Sequence, residues 1–229
     1  MKLNFINCIK GRINKSNEIK EKLYSLILYG SIIRGDFING VSDIDFFAVL
    51  KEDDPNIIEK LRAILEECCE NINAVEVDLA WGDLENIRDP INKGYPFKFL
   101  TIYQNDFLKY HKIIYGNEIK DILPRYDWKK LVKWRVKKLL SLIEERRKNP
   151  KMLHISAGEI ARLLALLNGA KSLSKNDILN KLEEMRDREA LEIYKAYLNG
   201  RKLKFKEEYL VNFITSRIKK ILKTPITQK

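Results

Sequence analysis

The spacing of hydrophobic positions changes character about halfway along the chain. The first half mixes short apolar runs with turns, and the second half is helical throughout. Leu23 to Tyr29 is a nearly continuous apolar run ended by Gly30, which predicts a strand. Ile44 to Leu50 predicts a second strand, entered through a polar, glycine-containing loop. Pro55 to Asn71 sets Ile57, Ile58, Leu61, Ile64 and Leu65 at helical spacing behind the start signal Asp53-Asp54-Pro55. Ala74 to Ala80 alternates apolar and acidic residues, the pattern of a strand with one charged face. His111 to Tyr115, closed by Gly116, predicts a fourth strand.

From Asp127 onward the periodicity is that of helices. Asp127 is placed to cap a long basic helix carrying Trp128, Leu131, Val132, Trp134, Leu139, Leu140 and Ile143, which Asn149-Pro150 stops. Ile155 to Leu167 follows, with Gly169 near its C-terminus. Ser174-Lys175-Asn176-Asp177 resembles a capping box opening a third helix, and two more are expected around Glu189–Leu198 and Glu207–Leu222. The expected fold is therefore α+β. A domain with a short mixed β-sheet and flanking helices spans residues 1–123, and an all-α bundle spans 124–229.

Composition narrows the chemistry. With 45% hydrophobic and 33% charged residues, the 229-residue chain can build a packed core. Three cysteines without CxxC spacing argue against a disulfide framework and against zinc. Two distant histidines, His111 and His154, argue against a Ser-His-Asp triad. No apolar run approaches the roughly 20 residues of a membrane span, and the N-terminus lacks a long apolar leader. A soluble, cytoplasmic protein with no membrane partner is expected. The excess of 43 Lys and Arg over 32 Asp and Glu, a net +11, favours an anionic ligand such as a nucleotide or nucleic acid. The Lys-, Glu- and Ile-rich, Gln-poor composition resembles that of proteins from hot environments, so much of this charge is read as solvating helix faces.

The candidate chemistry lies in three short stretches. Asp43 and Asp45 stand at i and i+2, so a strand presents both carboxylates on one face while Ile44 points into the core. Two such carboxylates repel unless a cation lies between them, and Mg²⁺ favours a few carboxylates together with phosphate oxygens. Glu76 and Asp78 repeat the arrangement. Gly30-Ser31 supplies a close backbone approach and a hydroxyl, a cradle for phosphate. A phosphate cradle beside a divalent-metal site is what nucleotidyl transfer requires.

In this order and spacing, Tyr29 to Leu50 resembles the signature of the DNA polymerase β-type nucleotidyltransferase superfamily: Gly-Ser, then Asp-x-Asp, then a later acidic strand. Ala74-Val75-Glu76-Val77 resembles the strand bearing the catalytic glutamate of streptomycin- and spectinomycin-type aminoglycoside adenylyltransferases. Arg162-Leu163-Leu164 through Gly169 to Ser174-Lys175, and Ala196-Tyr197-Leu198 beyond, resemble their helical domain. The resemblance runs nearly end to end. It implies transfer of AMP from Mg-ATP to a hydroxyl acceptor, small molecule or protein, with two Mg²⁺ ions and release of pyrophosphate. It implies Asp43 and Asp45 at the metals, with Glu76, Asp78 or both as base or third metal ligand. Gly30, Ser31, Arg162 and Lys175 would bind the nucleotide, and the bundle would close over it. One stretch departs from the pattern. Drug-modifying relatives carry acidic residues before the arginine, whereas Lys151-Met152-Leu153-His154-Ile155 has none, which speaks against a cationic drug as acceptor. Two other readings are an antitoxin-type enzyme adenylylating a partner protein and a non-catalytic nucleotide-binding module. The intact carboxylates argue against the latter.

Other residues admit two readings each. Arg34 would meet a phosphate or pair with Asp36. The helix with Lys129, Lys130, Lys133, Lys137 and Lys138 offers nucleic acid a surface, but its interleaved Leu, Val and Trp give core packing more weight. Trp81, Trp128 and Trp134 are expected to be buried. Tyr95, Phe97, Phe99, Tyr103, Phe107 and Tyr110 read as core before acceptor wall, and Cys68-Cys69 as helix packing.

Overall fold

The computed structural model describes residues 4–93, 97–199 and 205–223. Contacts divide the chain into two compact units, 1–125 and 126–229. The first contains α1 (Phe5–Asn14), α2 (Asn17–Lys22), β1 (Leu23–Tyr29), α3 (Ser31–Arg34), β2 (Ile44–Leu50), α4 (Pro55–Cys69), β3 (Val77–Asp83) and α5 (Leu84–Arg88), followed by a 3-10 turn at Lys98–Leu100, α6 (Gln104–Lys109) and β4 (His111–Gly116). The helix starts are set by local chemistry. Ser16 caps α2 by accepting from the Ile19 amide, and Asp54 caps α4 by accepting from the Asn56 and Ile57 amides, with Pro55 in the first turn. Asp83 caps α5 in the same way.

The four strands form one mixed sheet of order β3-β2-β1-β4. β1 is antiparallel to β2 and β4, and β2 is parallel to β3. β2 lies inside the sheet and is buried on both faces, which is why Phe46-Phe47-Ala48-Val49-Leu50 is continuously apolar. Leu28, Ile44, Phe46 and Leu79 pack under α1 and α4. Ile27, Phe47 and Val49 face the other way, onto Ile87, Leu100 and Phe107. The aromatic stretch is core there: Phe99 packs on Tyr29, Phe47, Phe97 and Phe107 at centroid distances of 4.5–5.3 Å. Tyr95 lies outside the described residues.

Two expectations for this unit need correction. The third strand starts at Val77 and runs to Asp83, not from Ala74 to Ala80. It pairs β2 to that strand's end at Leu50, while Asn71–Ala74 turn through bonds from the Ile72 amide to Cys69 and from the Ala74 amide to Ile72. Cysteine usage is also different. Cys8 of α1 and Cys68 of α4 form a disulfide with Cα atoms 5.8 Å apart, and an Arg12–Glu67 ion pair lies beside it. Cys69 is the buried neighbour that does pack as a core residue, and burial pushes its thiol up to about 12.

The second unit contains α7 (Trp128–Ser141), α8 (Ile143–Arg147), α9 (Pro150–Leu167), α10 (Lys175–Glu184), α11 (Arg188–Asn199) and α12 (Glu207–Lys223). Asp127 caps α7 as expected, accepting from the Lys130 amide. The long basic helix breaks at Leu142, and Asn149-Pro150 opens the next helix rather than only stopping the last. Asn149 accepts from the Met152 amide, and Pro150 occupies the first turn. α9 is the hub. It buries Leu153, Ala157, Ile160, Ala161 and Leu164 among its neighbours, and α11 and α12 pack along it. Gly158 allows close approach of α11, since a Cβ there would lie 2.6 Å from Cδ2 of Tyr197. Arg135 makes a two-pronged ion pair with buried Glu159, at 2.6 and 2.8 Å. Trp81, Trp128 and Trp134 are half-buried rather than buried.

Candidate active site

The predicted carboxylates gather where β2 and β3 begin and β1 ends. Antiparallel register sets Tyr29 opposite Asp45, and parallel register sets Asp45 opposite Asp78. His111 of β4 is the partner of Tyr29 on the other side. One row, His111–Tyr29–Asp45–Asp78, thus crosses the sheet. The pleat turns Asp43 and Asp45 to the side opposite buried Ile44, Asp43 exposed and Asp45 half-buried. Glu76 precedes β3 and is exposed. Its carbonyl accepts from the Ile44 amide, while the Val75 amide bonds the Ser42 carbonyl. These bonds carry the strand pairing past its formal end and lay Glu76 alongside Asp43.

Gly30 closes the site from the side of β1. Its φ of +77° and ψ of −153° belong to a region open essentially only to glycine. A Cβ there would lie 2.8 Å from Cγ of Asp45 and closer still to Oδ2. The bare Cα therefore makes room for the carboxylate. Ser31 begins α3 directly afterwards and is buried. Arg34 in the same turn is held by protein carboxylates: Nε donates to Asp36 at 3.3 Å and a terminal nitrogen to Asp106 at 2.8 Å. The pairing with Asp36 expected for it is present, and the second bond ties α3 to α6.

The electrostatics follow from crowding. Asp78 keeps over a third of its surface open, yet desolvation raises its carboxyl above the usual range. Glu76 raises it further, against a lowering by Arg62. Burial, then the charges of Asp45 and Asp78, raise the Tyr29 phenol well above its ordinary value. Tyr29 stays protonated and uncharged beside the carboxylates. Pattern reading did not select it, although it immediately precedes Gly30 and shares a face with Ile27.

The donor set suits a hard cation, being carboxylate oxygen alone. Among the described residues no three His, Cys, Asp or Glu side chains are arranged to enclose a metal ion by themselves. Mg²⁺ commonly takes one or two carboxylates with substrate phosphates and water, so the Asp43–Asp45 pair beside the Gly30-Ser31 turn fits an ion that would arrive with a nucleotide.

In the second unit, Arg162 projects from the middle of α9 and Lys175 is the first residue of α10. Arg162 lies over the rings of Tyr194 and Tyr197, 5.9 and 5.3 Å from their centroids, and donates to the Tyr197 hydroxyl at 3.1 Å. Ser174 caps α10 by accepting from the Asp177 amide at 3.1 Å. Asp177 accepts from the Ser172 hydroxyl instead of completing the box.

The nucleotidyltransferase domain model matches residues 12–149, more than half the chain. The chain belongs to the nucleotidyltransferase family. Its fold is similar to that of spectinomycin adenyltransferase AAD(9) from Enterococcus faecialis, solved with ATP and spectinomycin. The TM-score is 0.63 at 17% identity over 96% of this chain and 99% of that one. No curated protein sequence matches significantly. No helix among the described residues is long and apolar enough to cross a membrane.

Proposed function

We propose that this protein transfers AMP from Mg-ATP to a hydroxyl acceptor and releases pyrophosphate. The observation that carries this reading is the packing of Gly30 against Asp45, in a row that also holds Asp78. It supports a site in which the Asp45 carboxylate is held directly against the Gly30-Ser31 turn, an approach that a side chain at position 30 would prevent. Residues 1–123 are proposed as the catalytic domain and 124–229 as the helical domain that carries Arg162 and Lys175.

Asp43 and Asp45 are assigned as the residues that would hold Mg²⁺, with Asp78 as a third carboxylate. When bound, Mg²⁺ offsets the triphosphate charge and stabilises the charge that develops during transfer. Gly30 and Ser31 orient the phosphates through main-chain N–H groups and the hydroxyl. Glu76, exposed beside Asp43, takes the proton of the attacking hydroxyl. Arg162 and Lys175 are assigned to the β- and γ-phosphates, with Tyr197 fixing the guanidinium orientation. That the structural neighbour is a spectinomycin adenyltransferase supports a small-molecule acceptor here.

The test is incubation with each labelled nucleoside triphosphate, Mg²⁺, a metabolite panel and candidate proteins, read by mass spectrometry beside thermal melts. The expected result is Mg²⁺-dependent stabilisation by ATP and one acceptor gaining AMP, both lost in Asp45→Asn. Failure of ATP to stabilise the protein in Mg²⁺, or equal stabilisation of Asp45→Asn, overturns the reading.

A further inference from the structure

The basic excess of the chain is not shared between its two units. Residues 1–125 hold 17 Lys and Arg against 20 Asp and Glu, a formal −3. Residues 126–229 hold 26 against 12, a formal +14. A composition that merely solvates helix faces interleaves both signs, as the first unit does. The second does not, and the surplus far exceeds what one triphosphate would balance.

α7 shows how the charge is displayed. It contains no acidic residue. Leu131, Val132, Arg135, Val136 and Leu139 form its buried side, and the Arg135 charge is absorbed by Glu159. Lys130, Lys133 and Lys137 are all exposed, and their spacing of three and four aligns them on the opposite side. Half-buried Trp134 lies within this stripe, with Lys138 Nζ 5.4 Å from its ring centroid. Leu131, Val132, Val136 and Leu139 thus occupy one face of the helix, and Lys130, Lys133 and Lys137 another. α12 extends the surface. It packs on α7, and Glu207 at its start pairs with Arg147 at the end of α8, so α12 runs back along α7. Its exposed Lys219, Lys220 and Lys223 therefore end toward the first half of α7.

We propose that the outer face of α7, continued by the end of α12, binds single-stranded nucleic acid. Lysines spaced along the helix suit successive phosphates, and Trp134 among them offers a stacking face that any base can use. Lysine, a mobile point charge, grips phosphate without reading sequence, so the binding is sequence-tolerant and strongly salt-dependent.

The experiment uses the full chain, with fluorescent 20-mers of poly-U and poly-dT titrated across a salt series. Lys130→Glu/Lys133→Glu/Lys137→Glu is compared with Lys10→Glu/Lys15→Glu/Lys20→Glu, an equal change of net charge in the other unit. The first variant should weaken binding at least tenfold and lower the slope of log K against log salt by about 2. The second should change affinity less than threefold. Trp134→Ala should weaken binding while leaving the salt slope in place. Circular dichroism melts of each variant separate loss of the surface from loss of the fold. No binding of either oligonucleotide at low salt overturns the proposal. So does an equal loss in both triple variants, or a stronger association with vesicles of anionic phospholipid than with the oligonucleotides.

Discussion

Gly30 and Asp45 share one small volume: the carboxylate of Asp45 lies where a side chain at position 30 would begin. Gly30→Ala is therefore expected to destabilise the protein by about 1–3 kcal/mol, from the glycine-only backbone conformation and the displaced carboxylate. Mg-ATP stabilisation should vanish. Chemical denaturation with and without Mg-ATP measures both, and a variant that still gains full stability from the nucleotide would contradict the assignment of the Gly30-Ser31 turn to phosphate.

Asp78 makes a pH prediction. Its folded-state pKa is raised by desolvation and by Glu76. A raised carboxyl contributes stability that is fully present below the unfolded value, near 3.8, and is lost as pH rises through the folded value. At neutral pH the ionised group is a cost. Asp78→Asn should raise the melting temperature of the nucleotide-free protein at pH 7 by at most about 3 °C. The gain should disappear below pH about 4. The same variant should lose part of the Mg-ATP stabilisation. An unchanged melt at pH 7 would remove the electrostatic argument.

The Cys8–Cys68 bond closes a long loop, the two cysteines being 60 positions apart, which in chain-entropy terms is worth about 4 kcal/mol. Cys8→Ser/Cys68→Ser should therefore melt roughly 10 °C lower than the parent. Peptide mapping without reduction should recover Cys8 joined to Cys68. Cys69, buried and with its thiol pushed up to about 12, should resist alkylation in the native protein at neutral pH. Rapid native labelling of Cys69, or a peptide joining Cys69 to Cys8, would refute this pairing.

For the second unit, Arg162→Ala and Lys175→Ala should each weaken ATP binding roughly 10- to 100-fold. AMP, lacking the β- and γ-phosphates, should bind almost unchanged. Tyr197→Phe keeps the ring beneath Arg162 but removes the hydroxyl that receives its hydrogen bond, so a smaller loss in the same direction is expected. Calorimetric titration of both nucleotides decides, and parallel losses for ATP and AMP would assign these residues to folding alone.

The sequence made the strands legible where one face or both are apolar. β1, β2 and β4 match the hydrophobic runs almost to the residue because burial dictates those side chains. Glu76 and Asp78 are legible as paired carboxylates, but the start of the strand beside them is not. Alternation continues through the turn at Asn71–Ala74, and only pairing with β2 fixes where β3 begins. The row through Tyr29 was hidden for the same reason: register is a relation between strands, not a property of one. α1 carries Phe5, Ile6, Ile9 and Ile13 at helical spacing, yet its bond to α4 depends on two helices meeting across 60 positions. Asn149-Pro150 does stop a helix, α8, but the same residues also begin α9, and that second role depends on what packs next.

That covalent ring encloses β1, α3, β2 and nearly all of α4, so Gly30, Ser31, Asp43 and Asp45 all lie inside it. A protease that cuts once in the exposed stretch at Ile38–Asn39 would not release a fragment. It would convert the ring into two chains still tied through sulfur, with β1 and β2 held in their places by the sheet. The nicked protein would run as one species until reduced, and the Gly30-Ser31 turn and the paired aspartates would be carried on separate polypeptides.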